Sequence, residues 1–217
     1  MQALLSPSMS YSALPFNTET LGNFDPTAPH PTQDADLLAQ LHFVPGLKEL
    51  LMLRQVHALE HGTVWMLGEM ANPGTSQRLL DNESLGGLST DRGFYLYGPV
   101  HKINLVRAVR LALERFKQGE WDLAVHPRCG TNMSVAMVLT TGLALGTSWL
   151  LPRGPLTQLA GLGLAATMAS QLSPDLGTLV QRYLTTAIPF NLEITDIYPT
   201  TDLWGRSAYF VEVDWRE

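Results

Sequence analysis

The 217-residue chain carries a formal charge of -6, with 14 Lys and Arg scattered along its length, so it presents no basic field for a polyanion and nucleic acid is excluded as an expected partner. A single cysteine, Cys129, excludes an internal disulfide and leaves that thiol as a buried group, a reactive group or a metal ligand. The length accommodates one ordinary domain plus membrane segments, but not two full soluble domains with an anchor.

The first thirty-odd residues are rich in Ser, Pro, Thr and Asn, hold no Lys or Arg and show no sustained apolar period. Residues 1–37 therefore read as a flexible N-terminal arm. The basic start and apolar run of a secretory signal are missing, which predicts that the soluble parts stay on the side where they are made.

A helix begins at Leu47, where Leu50, Leu53, His57, Glu60, His61 and Val64 recur at three- and four-residue steps, and Asn72-Pro73-Gly74 ends it. Thr75 to Gly87 is polar and reads as a connection, and Gly93 to Gly98, aromatic and bounded by glycines, reads as a strand. A second helix is predicted over Lys102–Lys117, with Ile103, Val106, Val109, Leu113 and Phe116 facing inward. Trp121 to Val125 reads as a strand that delivers His126 at its end. With the first helix, these elements form an expected helix/strand domain over residues 38–132.

No charged residue follows Arg128 until Arg153, and Met133 to Leu151 is long enough to span a bilayer. Pro155 to Leu172 is a second, shorter candidate, and Pro152 to Pro155 is a tight turn, so residues 133–173 are expected to form a two-helix transmembrane hairpin. Its small residues, among them Gly142, Gly146, Gly161 and Ala165, would let the backbones approach closely. The competing reading is a buried helical hairpin of a soluble protein. Arg115, Lys117, Arg128 and Arg182 flank the hairpin against Arg153 at its tip, which favours the cytoplasm for the soluble face. Residues 174–217 are expected to hold a helix and a β-hairpin that packs back on the first domain, because Leu192 to Ile197 and Ser207 to Val213 alternate polar and apolar residues. The expected fold class is α+β.

Two strings carry the chemistry. His57-Ala58-Leu59-Glu60-His61 places imidazoles at i and i+4, on one helix face at about 5–6 Å, where both can reach one Zn²⁺ while the glutamate stays available as a base. In His126-Pro127-Arg128-Cys129-Gly130, proline and glycine bend the chain so that His126 and Cys129 converge like the ligands of a metal-binding knuckle. Ligand number decides the outcome. With His57, His61 and one of His126 or Cys129 bound, a water fills the fourth position, Glu60 takes its proton, and Arg128 or Asn132 stabilises a developing oxyanion. With all four bound, the metal is structural and ties helix to knuckle. Two partly buried, hydrogen-bonded histidines without metal, or Cys129 acting as a nucleophile beside His126, are the competing readings.

The strings H-A-L-E-H-G-T from His57, L-G-G-L-S-T-D-R-G-F-Y-L-Y-G from Leu85 to Gly98 and H-P-R-C-G-T-N from His126 to Asn132 resemble those of a cyanobacterial membrane-protein family of unknown function. That resemblance covers the chain from about Leu53 to the end of the hairpin and implies a thylakoid or plasma-membrane location. The paired motifs are also similar to those of a widespread bacterial membrane family described as metal-dependent. A looser similarity links H-x-x-E-H to the inverted zincin peptidases, whose third ligand is a downstream glutamate; here no glutamate lies between Glu120 and Glu193. The expectation is an integral membrane protein with a zinc-type site at the membrane surface, hydrolytic or structural, the latter serving an assembly or scaffold factor. Membrane lipid and a membrane-protein partner are the expected company.

Overall fold

The computed structural model describes residues 29–72 and 81–216. Helices α1 (Gln33–Gln40) and α2 (Leu47–Ala71) precede strands β1 (Gly86–Thr90) and β2 (Gly93–Tyr97). Then come α3 (Lys102–Lys117), a 3-10 turn (Trp121–Ala124), the long helices α4 (Gly130–Leu150) and α5 (Pro155–Val180), a π-helical stretch (Gln181–Thr185), and strands β3 (Leu192–Thr201) and β4 (Ser207–Trp215). The architecture is α+β, with a C-terminal strand pair as expected.

The four strands form one antiparallel sheet in the order β1-β2-β4-β3, so the C-terminal hairpin docks beside β2 and closes the fold over a long sequence separation. Val56, Leu59 and Met66 of α2 and Leu105, Val109 and Phe116 of α3 pack with Phe94, Leu96, Val211 and Val213 of the sheet. At the α2–α3 crossing, a Cβ on Gly62 would come within 2.7 Å of the Phe116 ring, so the missing side chain lets the two helices touch. Gln55, buried on α2, donates to Asp34 Oδ2 of α1 (2.6 Å) and to Asn191 Oδ1 (3.1 Å), and its own Oε1 accepts the Asn191 N–H at 3.1 Å. One side chain thereby joins α1, α2 and the start of β3.

Several expectations are corrected. The arm does not extend to residue 37, since Gln33–Gln40 is helical; residues 1–28 lie outside the described residues. Gly86 and Gly87, read as part of a connection, open strand β1, where pairing to Tyr97 and Leu96 supplies the order that composition lacks. The stretch expected as a strand before His126 is instead a 3-10 turn whose carbonyls serve side chains: Ala124 O accepts from His61 and Val125 O from Trp65. Five residues with one acid among four apolar side chains are too few for periodicity to tell a strand from a turn. On α3, Ile103 is 67% exposed, and Leu105, Ala108 and Ala112 take inward places beside Val109, Leu113 and Phe116.

Helices α4 and α5 form an antiparallel arm. No residue of α4 is buried, and it is the one helix among those described that is long and apolar enough to cross a membrane, with a mean hydropathy of 1.4. The second expected span does not qualify, so a two-helix transmembrane hairpin is not supported. Gln158, Ser170, Gln171 and Asp175 dilute the leucines of α5, which continues through Pro174 to Val180. Gly161 of α5 lies against Leu151 and Thr147, where a Cβ would come within 2.6 Å of the Leu151 side chain.

Candidate metal centre in the cleft

His57 and His61 lie one turn apart on α2, with ring centroids 4.4 Å apart. His57 Nδ1 donates to Thr185 O at 3.0 Å and His61 Nδ1 donates to Ala124 O at 2.7 Å. A carbonyl only accepts, so both Nδ1 atoms carry a proton, and Nε2 is on each ring the nitrogen left to face a ligand. Carbonyls that fix the tautomer and ring orientation in this way are the usual support of metal-binding histidines.

Cys129 completes the cluster. Its Sγ lies 3.2 Å from His57 Nε2, and the ligand atoms of His57, His61 and Cys129 all fall within 4.8 Å of one another. Two imidazole nitrogens and a thiol are a donor set suited to zinc, and they converge from two distant segments of chain. Cys129 also caps the N-terminus of α4, where its sulfur accepts from the Thr131 N–H at 3.4 Å. Burial acts to raise the thiol pKa, but the adjoining His61 imidazole and Thr131 outweigh it and hold Cys129 below its ordinary value.

His126 stands beside this triad rather than in it. Its ring lies 5.5 Å from that of His61 and 4.7 Å from that of Trp65. Nε2 donates to Asp81 Oδ1 at 3.1 Å, and Nδ1 accepts the Arg128 N–H at 3.3 Å, so both nitrogens have protein partners. Burial above all, with the neighbouring His61, pushes its pKa down to about 4, against the pull of Asp81. Asp81 also receives the Arg128 guanidinium, through Nη2 at 2.6 Å and through Nε, and that contact holds its carboxyl below the ordinary range.

Arg128 and Asn132 are likewise committed to neighbours. Arg128 Nη2 reaches Asn82 O at 2.9 Å besides Asp81. Asn132 donates from Nδ2 to Pro127 O (2.7 Å) and accepts the Gln181 amide at Oδ1 (2.7 Å), while Gln181 Oε1 accepts the His126 N–H at 2.8 Å. The two side chains hold the His126–Cys129 turn against Asp81 and the end of α5. The π-helical stretch, closed by Thr186 N donating to Gln181 O at 2.9 Å, aims the Thr185 carbonyl at His57.

Glu60, between the two histidines, reaches β1. Its Oε2 accepts from Ser89 Oγ at 2.5 Å, and its carboxylate fills the space that a Cβ on Gly87 would need. Burial raises the Glu60 pKa, opposed by the Ser89 hydroxyl and His57. Glu60, the triad and Arg128 line one cleft of about 770 Å³, whose other walls come from β1 and from Tyr183 to Thr185.

Sequence reasoning missed Asp81, Ser89, Gln181 and the carbonyls of Ala124 and Thr185. Carbonyls leave no trace in residue identity, and Asp81 lies in a polar stretch with no period to mark it.

A family described as a domain of unknown function, DUF6391, matches residues 52–197. The chain belongs to this family. It is also 52% identical over 190 residues to an uncharacterized protein of the cyanobacterium Picosynechococcus sp. strain PCC 7002, covering 88% of this chain and 93% of that protein. No solved structure matches. The matched family residues contain all of α2 from Met52, the His126–Cys129 turn and the α4–α5 arm.

Proposed function

We propose that the protein is a membrane-anchored zinc protein whose His57, His61 and Cys129 bind one metal ion in the cleft. The observation that carries the reading is the matched orientation of the two imidazoles, both held by carbonyls at Nδ1 with Nε2 turned toward the Cys129 sulfur. Three protein donors leave a fourth position, which is the mark of catalytic rather than closed structural zinc. A zinc ion there supplies Lewis-acid activation of water or of a carbonyl. Glu60, its pKa raised by burial, accepts or returns a proton from the cleft wall, and Asp81 and Arg128 keep the Cys129 turn in place. The reaction class is hydrolysis. Anchoring runs through α4, which has no buried residue and an apolar surface that water would leave unsolvated.

Metal analysis of purified full-length protein tests the reading. Wild type and Glu60→Gln are expected to hold one zinc per chain, and His57→Ala and Cys129→Ser to hold little. Full zinc retention by both His57→Ala and Cys129→Ser overturns the site. If zinc-loaded wild type hydrolyses no ester or amide probe, the metal instead serves structure in an assembly or scaffold protein, and if Glu60→Gln hydrolyses them as fast as wild type, Glu60 is not the base. Resistance of the protein to carbonate extraction from membranes tests the anchor.

A further inference from the structure

The walls of the cleft are more informative than its floor. Leu50 and Leu53 of α2, Leu88 of β1 and Leu184 of the π-helical stretch line it, yet they are 54, 37, 38 and 67% exposed. Four leucines from three elements thus line the cleft while staying exposed among the described residues, and exposed apolar lining beside convergent polar groups marks a ligand site. Gly130 and Thr131, the first residues of α4, line the same cleft. The apolar helix therefore rises directly from the cleft mouth, and Met133 and Met137 continue the exposed apolar surface along it.

Resting on the membrane-anchored metal reading above, we infer that the cleft takes a fatty-acyl lipid from the bilayer, with its acyl chain along Leu50, Leu53, Leu88 and Leu184 and its carbonyl end at His57, His61 and Cys129. The foot of α4 and the four leucines line the same cleft, so an acyl chain leaving the bilayer beside α4 has apolar lining to occupy there. Each methylene laid on the leucines contributes roughly 0.8 kcal/mol, about fourfold in affinity. Cys129 immediately precedes α4, so the polar groups stand beside the foot of that helix, and the carbonyl or carboxyl end of the lipid is the part with chemistry to meet them. A small water-soluble substrate would leave the leucine wall without a role.

Photolabelling tests this. Full-length protein in phosphatidylcholine vesicles is irradiated with palmitic acid carrying a mid-chain diazirine, and the adducts are mapped by mass spectrometry. Adducts are expected on residues 50–64 and 183–185 as well as on the lipid-facing surface of α4, and excess palmitate should remove the first set and spare the second. The exposed-site double variant Leu53→Gln/Leu184→Gln should lose at least about fivefold of the cleft adducts, with α4 labelling as internal standard. Labelling of α4 without the cleft, or cleft adducts indifferent to palmitate and to the double variant, overturns the inference. Absence of label on both overturns it together with the membrane anchor. Zinc content, measured on the same samples, reports separately on the metal centre, so a cleft that labels without zinc defeats the metal reading and leaves the chain-binding wall in place.

Discussion

Gly87 and Glu60 occupy one another's space: a methyl group on residue 87 would fall on the Glu60 carboxylate, so the strand backbone and the acid are fitted together only because residue 87 has no side chain. The acid is thereby held against Ser89 on β1 while its helix neighbours His57 and His61 face Cys129. Gly87→Ala should destabilise the fold by about 1–3 kcal/mol, the usual cost of overpacking. It should also displace Glu60, so that any hydrolytic rate falls while zinc content stays near that of wild type. Urea unfolding and metal analysis on the same preparation check both halves.

Zinc binding should depend on pH in a defined direction. The metal competes with protons for Cys129 and the two imidazoles, so affinity falls as pH falls. Because His61 and Thr131 hold the Cys129 thiol below its ordinary value, against the opposing effect of burial, the thiolate is more available near neutrality than a free cysteine would be. Thr131→Val removes the hydroxyl from that arrangement but keeps the N–H, and should move the pH of half-release upward. Zinc retention after dialysis across a pH series provides the measurement.

Acid should destabilise the protein through His126. Its folded pKa of about 4 lies below the ordinary value of 6.5, so the unfolded chain binds the extra proton. The contribution is present in full above pH 6.5 and is lost as pH falls toward 4. His126→Gln, which cannot titrate, should show a shallower loss of unfolding free energy between pH 7 and pH 4.5. An identical slope in wild type and variant would remove His126 from the acid response.

The Gln55 network is expected to matter for stability and not for metal. Burial pushes the Asp34 carboxyl up while the Gln55 hydrogen bond lowers it, so Gln55→Ala removes a partner from the buried acid, from Asn191 Oδ1 and from the Asn191 N–H together. The loss should be about 3 kcal/mol, since each unsatisfied buried polar group costs about 1–3 kcal/mol. Thermal unfolding should show it, with zinc stoichiometry unchanged.

The metal-type residues were legible because a helix converts sequence spacing into spatial adjacency: His57 and His61 at i and i+4 must share a face. That face also contains Leu50, Leu53, Glu60 and Val64, and sequence alone reads it as an apolar face that carries the metal-type residues. In the folded protein it lines the cleft, and Val56, Ala58 and Leu59, on other sides of the same helix, enter the core. With apolar residues all around α2, periodicity cannot say which side meets protein and which meets a cavity. Cys129 was legible as a candidate from its turn, but its pairing with the α2 histidines across 72 residues is a tertiary fact.

The local sequence determined those features that one segment encodes within itself: the α2 and α3 helices, the β2 strand, the β3–β4 hairpin, and the apolar character of α4. Tertiary structure decided which groups meet. It made Trp121–Ala124 a 3-10 turn, where Ala124 O and the following Val125 O meet His61 and Trp65, and it made Gly86–Thr90 a strand because β2 offered a partner. It also engaged both nitrogens of His126 with Asp81 and the Arg128 backbone, so that of the four candidate ligands His57, His61 and Cys129 converge, one of the two arrangements the sequence left open. Propensity and periodicity act over one or two turns of chain, whereas hydrogen-bond satisfaction of a buried ring is settled by whatever the rest of the fold brings within about 3 Å.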